Sequence, residues 1–162
     1  SQLSRSIDEA RELLDLDGTE VMVDAYCGVG VFTVLLAPYV RKIIGVEESA
    51  SAIQDAGLNS MNIPNIEFVE GKTEHILNAL SEDIDVLLLD PPRVGCHPDV
   101  LDSVLKLKPE KVLMISCEPE AMARDLNLLC SAGTYNLETI RPVDMFPQTR
   151  HVETISMLRL QG

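Results

Sequence analysis

The chain has 162 residues, 46% of them apolar, and a formal net charge of −13. That length suits one domain able to bury about two-thirds of its unfolded surface. No run approaches the roughly 18 apolar residues that span a membrane, and the polar start lacks a signal-peptide core, so a soluble, cytoplasmic protein is expected. The acidic balance argues against this chain gripping a nucleic acid unaided, since phosphate contacts need clustered Lys and Arg.

Ser6-Ile7-Asp8-Glu9 has capping-box spacing, and Ile7, Ala10 and Leu14 share one face of the helix expected to follow. Val21 to Val23 read as a buried strand, because apolar residues follow one another without polar alternation. The strand runs into Asp24-Ala25-Tyr26-Cys27-Gly28-Val29-Gly30-Val31-Phe32, a glycine turn opening a helix. Gly28 and Gly30 remove Cβ atoms where the backbone turns and approaches a ligand. A third glycine is missing, its place held by Thr33, and no phosphate-cradling GxxxxGK[ST] loop is present. Ile43 to Val46 form a second strand, and Glu47 at its end lies near the roughly 20-residue offset at which an acid meets ribose hydroxyls. A glycine turn, a ribose-binding acid and no pyrophosphate site suggest an adenosyl ligand.

Ser49 to Asn59 reads as a helix with Ala50, Ile53 and Ala56 inward, and Asn65 to Val69 as a third strand. Ile76, Leu77 and Leu80 mark a short helix after Gly71-Lys72-Thr73. Ile84 to Leu89 is the most hydrophobic strand and is expected at the centre, stopping at Asp90-Pro91-Pro92-Arg93. Pro98 fits the first turn of a helix burying Leu101, Val104 and Leu105. Val112 to Ser116 is a fifth strand ending at Cys117, and Pro119 opens a helix that Gly133 stops, with Cys130 on its packing side. Two closing strands, near Asn136–Pro142 and Val152–Leu158, have no helix between them. The spacing predicts an α/β fold: a doubly wound, mostly parallel, seven-stranded sheet with a C-terminal antiparallel hairpin, all in one domain over residues 1–162.

In open α/β sheets ligands bind beyond the carboxyl ends of the parallel strands. Glu47, Asp90 and Cys117 fall at that edge, and if the last strand is antiparallel its beginning, Gln148 to Glu153, lies there too. The consecutive prolines hold an extended backbone whose free carbonyls can accept from a planar ligand. Arg93 suits a phosphate or carboxylate, where an aromatic residue would suit an exocyclic amine. Cys117 near a helix start is biased towards thiolate. Glu153 in an apolar strand suits a general base, with a salt bridge to Arg93 or Arg150 as the alternative. His75, His97 and His151 carry no pairing that marks a catalytic base. Among the four cysteines no CxxC pair or His/Cys zinc pattern occurs, so no metal and no disulfide framework is expected.

Taken in order, Asp24-x-Tyr26-Cys27-Gly28-x-Gly30-x-Phe32, Asp90-Pro91-Pro92-Arg93-x-Gly95, Ser116-Cys117-x-Pro119 with Ala123-Arg124-Asp125-Leu126, and His151-Val152-Glu153 resemble the catalytic domain of the S-adenosylmethionine-dependent RNA uracil-5-methyltransferases. The resemblance runs from about Leu13 to Leu158. It implies a Rossmann-like class I methyltransferase acting on uridine in tRNA or rRNA, with Cys117 as nucleophile, Glu153 as proton-abstracting base and Asp90 on the uracil edge. Asp24, Tyr26, Gly28, Gly30, Phe32, Glu47 and Asp90 would hold the cofactor, leaving S-adenosylhomocysteine as product, and Pro91 and Arg93 would meet the substrate. Two positions depart from the family: Lys72 stands where an adenine-holding aspartate is common, and Glu118 where Asn or Asp often sits. Relatives also carry N-terminal RNA-binding segments, so this stretch reads as an isolated catalytic module that binds cofactor and is poorly active alone. An amine-directed methyltransferase is the rival enzyme, which Arg93 and Cys117 disfavour; a non-catalytic cofactor-binding module is the rival outside enzymes.

Overall fold

Apolar residues that follow one another along each parallel strand serve two cores, one on each side of a sheet, because successive side chains point to opposite faces. The computed structural model describes residues 2–143 and 153–162. Its strands are β1 (Val21–Ala25), β2 (Lys42–Glu47), β3 (Ile66–Glu70), β4 (Val86–Leu89), β5 (Lys111–Ser116), β6 (Tyr135–Val143) and β7 (Glu153–Leu160). The helices are α1 (Gln2–Leu14), α2 (Val31–Leu36), α3 (Ala50–Asn59), α4 (Thr73–Ala79), α5 (Pro98–Leu107) and α6 (Pro119–Cys130). One sheet runs in the order β3-β2-β1-β4-β5-β7-β6. β1 to β5 pair in parallel, and β7 is antiparallel to both β5 and β6. The expected doubly wound sheet with its closing hairpin is what the chain forms.

Alternation along the strands sorts the interior. Val23, Leu87, Leu89, Val112 and Met114 pack with Val104 of α5 and Leu129 of α6 on one face. Met22, Val86, Leu88, Leu113 and Ile115 pack with Ala10 and Leu14 of α1 and Leu36 of α2 on the other. Tyr135 is fully buried and donates its hydroxyl to Pro109 O at 2.7 Å, which ties the start of β6 to the connection between α5 and β5. Lys111, also buried, donates Nζ to Leu14 O at 2.5 Å, joining the end of α1 to the start of β5.

Two local expectations need correcting. Ser6 does not cap α1; it is buried inside the helix, which begins at Gln2 because the apolar stripe of Ile7, Ala10 and Leu14 extends back through Leu3. Ala50 does not face inward; Ser49 caps α3 by accepting from Ala52 N, and the inward seam starts nearly a turn later, at half-buried Ile53 and buried Ala56.

Candidate active site

β1 and β4 are neighbours, and their following helices go to opposite faces, so the chain opens a crevice beyond their carboxyl ends. A cavity of about 830 Å³ lies there, lined by Tyr26, Glu47, Asp90, Pro91, Arg124 and Asp125 among others. Four of the expected site residues, Tyr26, Glu47, Asp90 and Pro91, therefore share it.

The glycine turn is built from left-handed backbone. Tyr26, Gly28 and Gly30 have φ of +61°, +57° and +83°. At Gly30 a Cβ would stand 3.1 Å from the Phe68 ring and 3.2 Å from Ala56 Cβ, so that glycine lets the turn lie against β3 and α3. At Gly28 a Cβ would meet only open space within 4 Å. The Gly28 N–H donates to Glu47 Oε1 at 3.2 Å, and Glu47 Oε2 accepts from Ser49 N at 2.8 Å. The glycine turn thus aims the carboxylate at the end of β2, leaving further lone pairs for a ligand.

Asp24 and Phe32 lie beneath the turn and do not line the cavity. Phe32 packs in the core with α1. Asp24 is 2% exposed and accepts from Thr33 Oγ1 at 2.6 Å. Thr33, in the place of the absent third glycine, therefore has a task of its own: it satisfies a buried carboxylate. Burial pushes Asp24 up to about 7, the Thr33 hydrogen bond opposing and the charge of Asp90 adding. Cys27 is buried against Gly45, and burial raises its thiol to about 12, which makes it an inert packing group.

The antiparallel closing strand starts at the same edge of the sheet. Ser116 pairs with Thr154, so Cys117 and Glu153, the next residues on either side, continue the same register at the strand-end edge. Cys117 is partly exposed and precedes α6, whose first turn starts at Pro119. Burial first, and then the repulsive charge of Glu153, pushes the Asp90 carboxyl up to about 7. Burial also raises Glu153. Arg93 is exposed and outside the cavity, because the Gly95 N–H donates to Pro92 O at 2.8 Å and closes a turn with Arg93 and Val94 at its tip. His97 caps α5, its Nδ1 accepting from Asp99 N at 3.1 Å. Gln148, Arg150, His151 and Val152 lie outside the described residues.

Sequence reasoning gave no role to Thr73 and Glu74, which line the cavity, or to Arg124 and Asp125, which hold its wall. Lys72 is exposed at the start of α4 and does not line it. No group of His, Cys, Asp and Glu among the described residues could hold a metal ion. No helix among them is long and apolar enough to cross a membrane.

Strand order and crevice define a Rossmann-like methyltransferase fold. An rRNA methylase from Streptococcus thermophilus shares it at a TM-score of 0.75, with 17% identity over 96% of both chains. The sequence model of the tRNA (uracil-5-)-methyltransferase family matches residues 5–161, and this chain belongs to that family. A Pyrococcus abyssi tRNA (uracil-54, C5)-methyltransferase, solved with S-adenosyl-L-homocysteine, is 31% identical with a TM-score of 0.78, covering 95% of this chain and 38% of its own. Uncharacterized RNA methyltransferases of Synechocystis and Clostridium tetani are 44% and 42% identical over 92% and 95% of this chain. The chain spans about a third of the length of those two relatives (33% and 34%).

Proposed function

We propose that this chain carries the chemistry for methylating carbon 5 of a uridine in RNA, with S-adenosylmethionine as donor. The observation that supports the reading is the register of β5 on β7, whose last pair, Ser116 with Thr154, leads into Cys117 and Glu153 at the edge where the Glu153 charge raises Asp90.

The cavity suits the cofactor by size and charge. Glu47, Glu48 and Glu74 line it, matching a ligand that carries a sulfonium and an ammonium. Glu47, held by Gly28 N and Ser49 N, is the group to take the ribose hydroxyls. Tyr26, which lines the cavity, borders the adenosyl and methionine portions. When bound, S-adenosylmethionine supplies an electrophilic methyl group.

Carbon 5 of uracil is a poor nucleophile until a thiolate adds at carbon 6. The Cys117 sulfur makes that bond, and the displaced π electrons move towards the carbonyl oxygen. Asp90, with a pKa lifted to about 7, can keep its proton near neutrality and donate a hydrogen bond to the developing enolate. After methylation Glu153 takes the carbon 5 proton, the carbon 5–carbon 6 double bond re-forms, and Cys117 leaves as thiolate. The base must be splayed out of its stack to reach these groups. With a net charge of −13, this chain is assigned the chemistry and not the grip on RNA phosphates.

Cys117→Ala tests this in the whole protein. Uridine methylation is expected to disappear while S-adenosylmethionine affinity stays within about threefold, since the thiol does not line the cavity. An amine-directed methyltransferase has no use for the thiol, so retained methyl transfer in that variant contradicts the assignment.

A further inference from the structure

The loop between β4 and α5 begins with Asp90-Pro91-Pro92 and supplies one wall of the cavity, through Pro91, Pro92, Val94 and Cys96. Its far end is gripped by α6. The Asp125 carboxylate is 1% exposed; Oδ2 accepts from Cys96 N at 2.8 Å, and Oδ1 accepts from Arg124 Nε and Nη2, both at 3.2 Å. Arg124 Nη2 also donates to Val94 O at 2.6 Å. Gly95 passes so near this pair, at φ +89°, that a Cβ there would overlap Arg124 Nη2 and stand 2.8 Å from Asp125 Oδ2.

Burying a carboxylate is costly, and an apolar residue would pack α6 on the sheet more cheaply. What the carboxylate adds is a fixed acceptor for one backbone N–H of the loop. The same helix starts two residues after Cys117. α6 thus follows the thiol directly and, in its second turn, holds the loop that starts at Asp90.

We propose that Arg124 and Asp125 are a positioning pair that fixes the Asp90-Pro91-Pro92 wall relative to Cys117. The inference rests on the uridine-methylation reading. Misplacing reacting groups by about 1 Å can cost on the order of 100-fold in rate. Asp125→Leu, which fills the site but cannot accept from Cys96 N–H, is therefore expected to lower kcat about 100-fold and to raise the S-adenosylmethionine Kd about fivefold. Asp125→Asn keeps an acceptor oxygen and should recover kcat to within about tenfold of wild type, at a Tm equal to that of the leucine variant. Gly95→Ala, which leaves both clamp residues in place but pushes the loop off them, should reproduce the leucine phenotype.

Wild-type kcat for Asp125→Leu, or equal losses for Leu and Asn, would overturn the clamp. So would losses that simply track Tm. A wild-type protein without turnover would count against the methylation reading alone. The clamp would then be judged on cofactor Kd: raised by Asp125→Leu and Gly95→Ala but not by Asp125→Asn if it holds, equal in all three if it does not.

Discussion

Asp24 sits near the end of β1 with its carboxylate on the Thr33 hydroxyl, and almost no water reaches it. Its position in the glycine motif suggested a contact with cofactor, yet the side chain supports the turn from below. Its pKa, lifted from 3.8 to about 7 by burial, has a consequence for stability. The native chain keeps a proton that the unfolded chain has already released, so the contribution of Asp24 to stability is greatest below about pH 4 and falls as pH rises towards 7. Asp90 contributes in the same direction. Asp24→Asn keeps an acceptor for Thr33 and removes the buried charge. In urea melts it should be about 1–2 kcal/mol more stable than wild type at pH 8, with no gain at pH 4.5. An equal change at both values would show that the Asp24 charge is not the cause.

Between β1 and α2 the two glycines divide the labour. Both have positive φ, so an alanine at either costs about 1 kcal/mol of backbone strain. Gly30→Ala also drives a methyl into Phe68 and Ala56 and should cost a further ~1–3 kcal/mol. Gly28→Ala meets no protein atom, but it alters the turn whose N–H holds Glu47, the carboxylate proposed to take the ribose. Thermal melts should therefore rank Gly30→Ala as the less stable, while calorimetry with S-adenosylmethionine should find at least a tenfold loss of affinity in Gly28→Ala. Equal melts and intact binding in Gly28→Ala would mean the ligand approaches elsewhere. The glycines were readable because turns leave a local signature. Thr33 was not, because its partner lies nine residues back and only the folded turn brings the two together.

At the scale of the molecule, β1, β2, β4 and β5 were legible because they are buried on both faces and so are nearly unbroken apolar runs, while β3, at the sheet edge, is only partly buried, and the strand order came from the structure. The expected convergence of Cys117, Asp90 and Glu153 rested on one topological step, an antiparallel β7, and β7 does pair antiparallel with β5 and starts at Glu153, at the ligand edge. What escaped the sequence was tertiary. Arg124 and Asp125 reach partners 30 and 29 residues away, and no local pattern announces that contact. Arg93, expected at the substrate, does not line the cavity and lies at the exposed Pro92–Gly95 turn. Ser6 has the spacing of a cap but lies inside α1, because the buried stripe extends the helix past it.

The account depends on Cys117 and Glu153 acting on one base, the thiol adding at carbon 6 and the carboxylate removing the proton from carbon 5. RNA bearing 5-fluorouridine isolates that pair, since after methylation carbon 5 holds fluorine and no proton for Glu153 to take. Mass spectrometry of the whole protein with this RNA and S-adenosylmethionine should find a stable, methylated adduct whose only protein attachment is the Cys117 sulfur. Methylated RNA released with no adduct, or an adduct on another residue, would contradict the account.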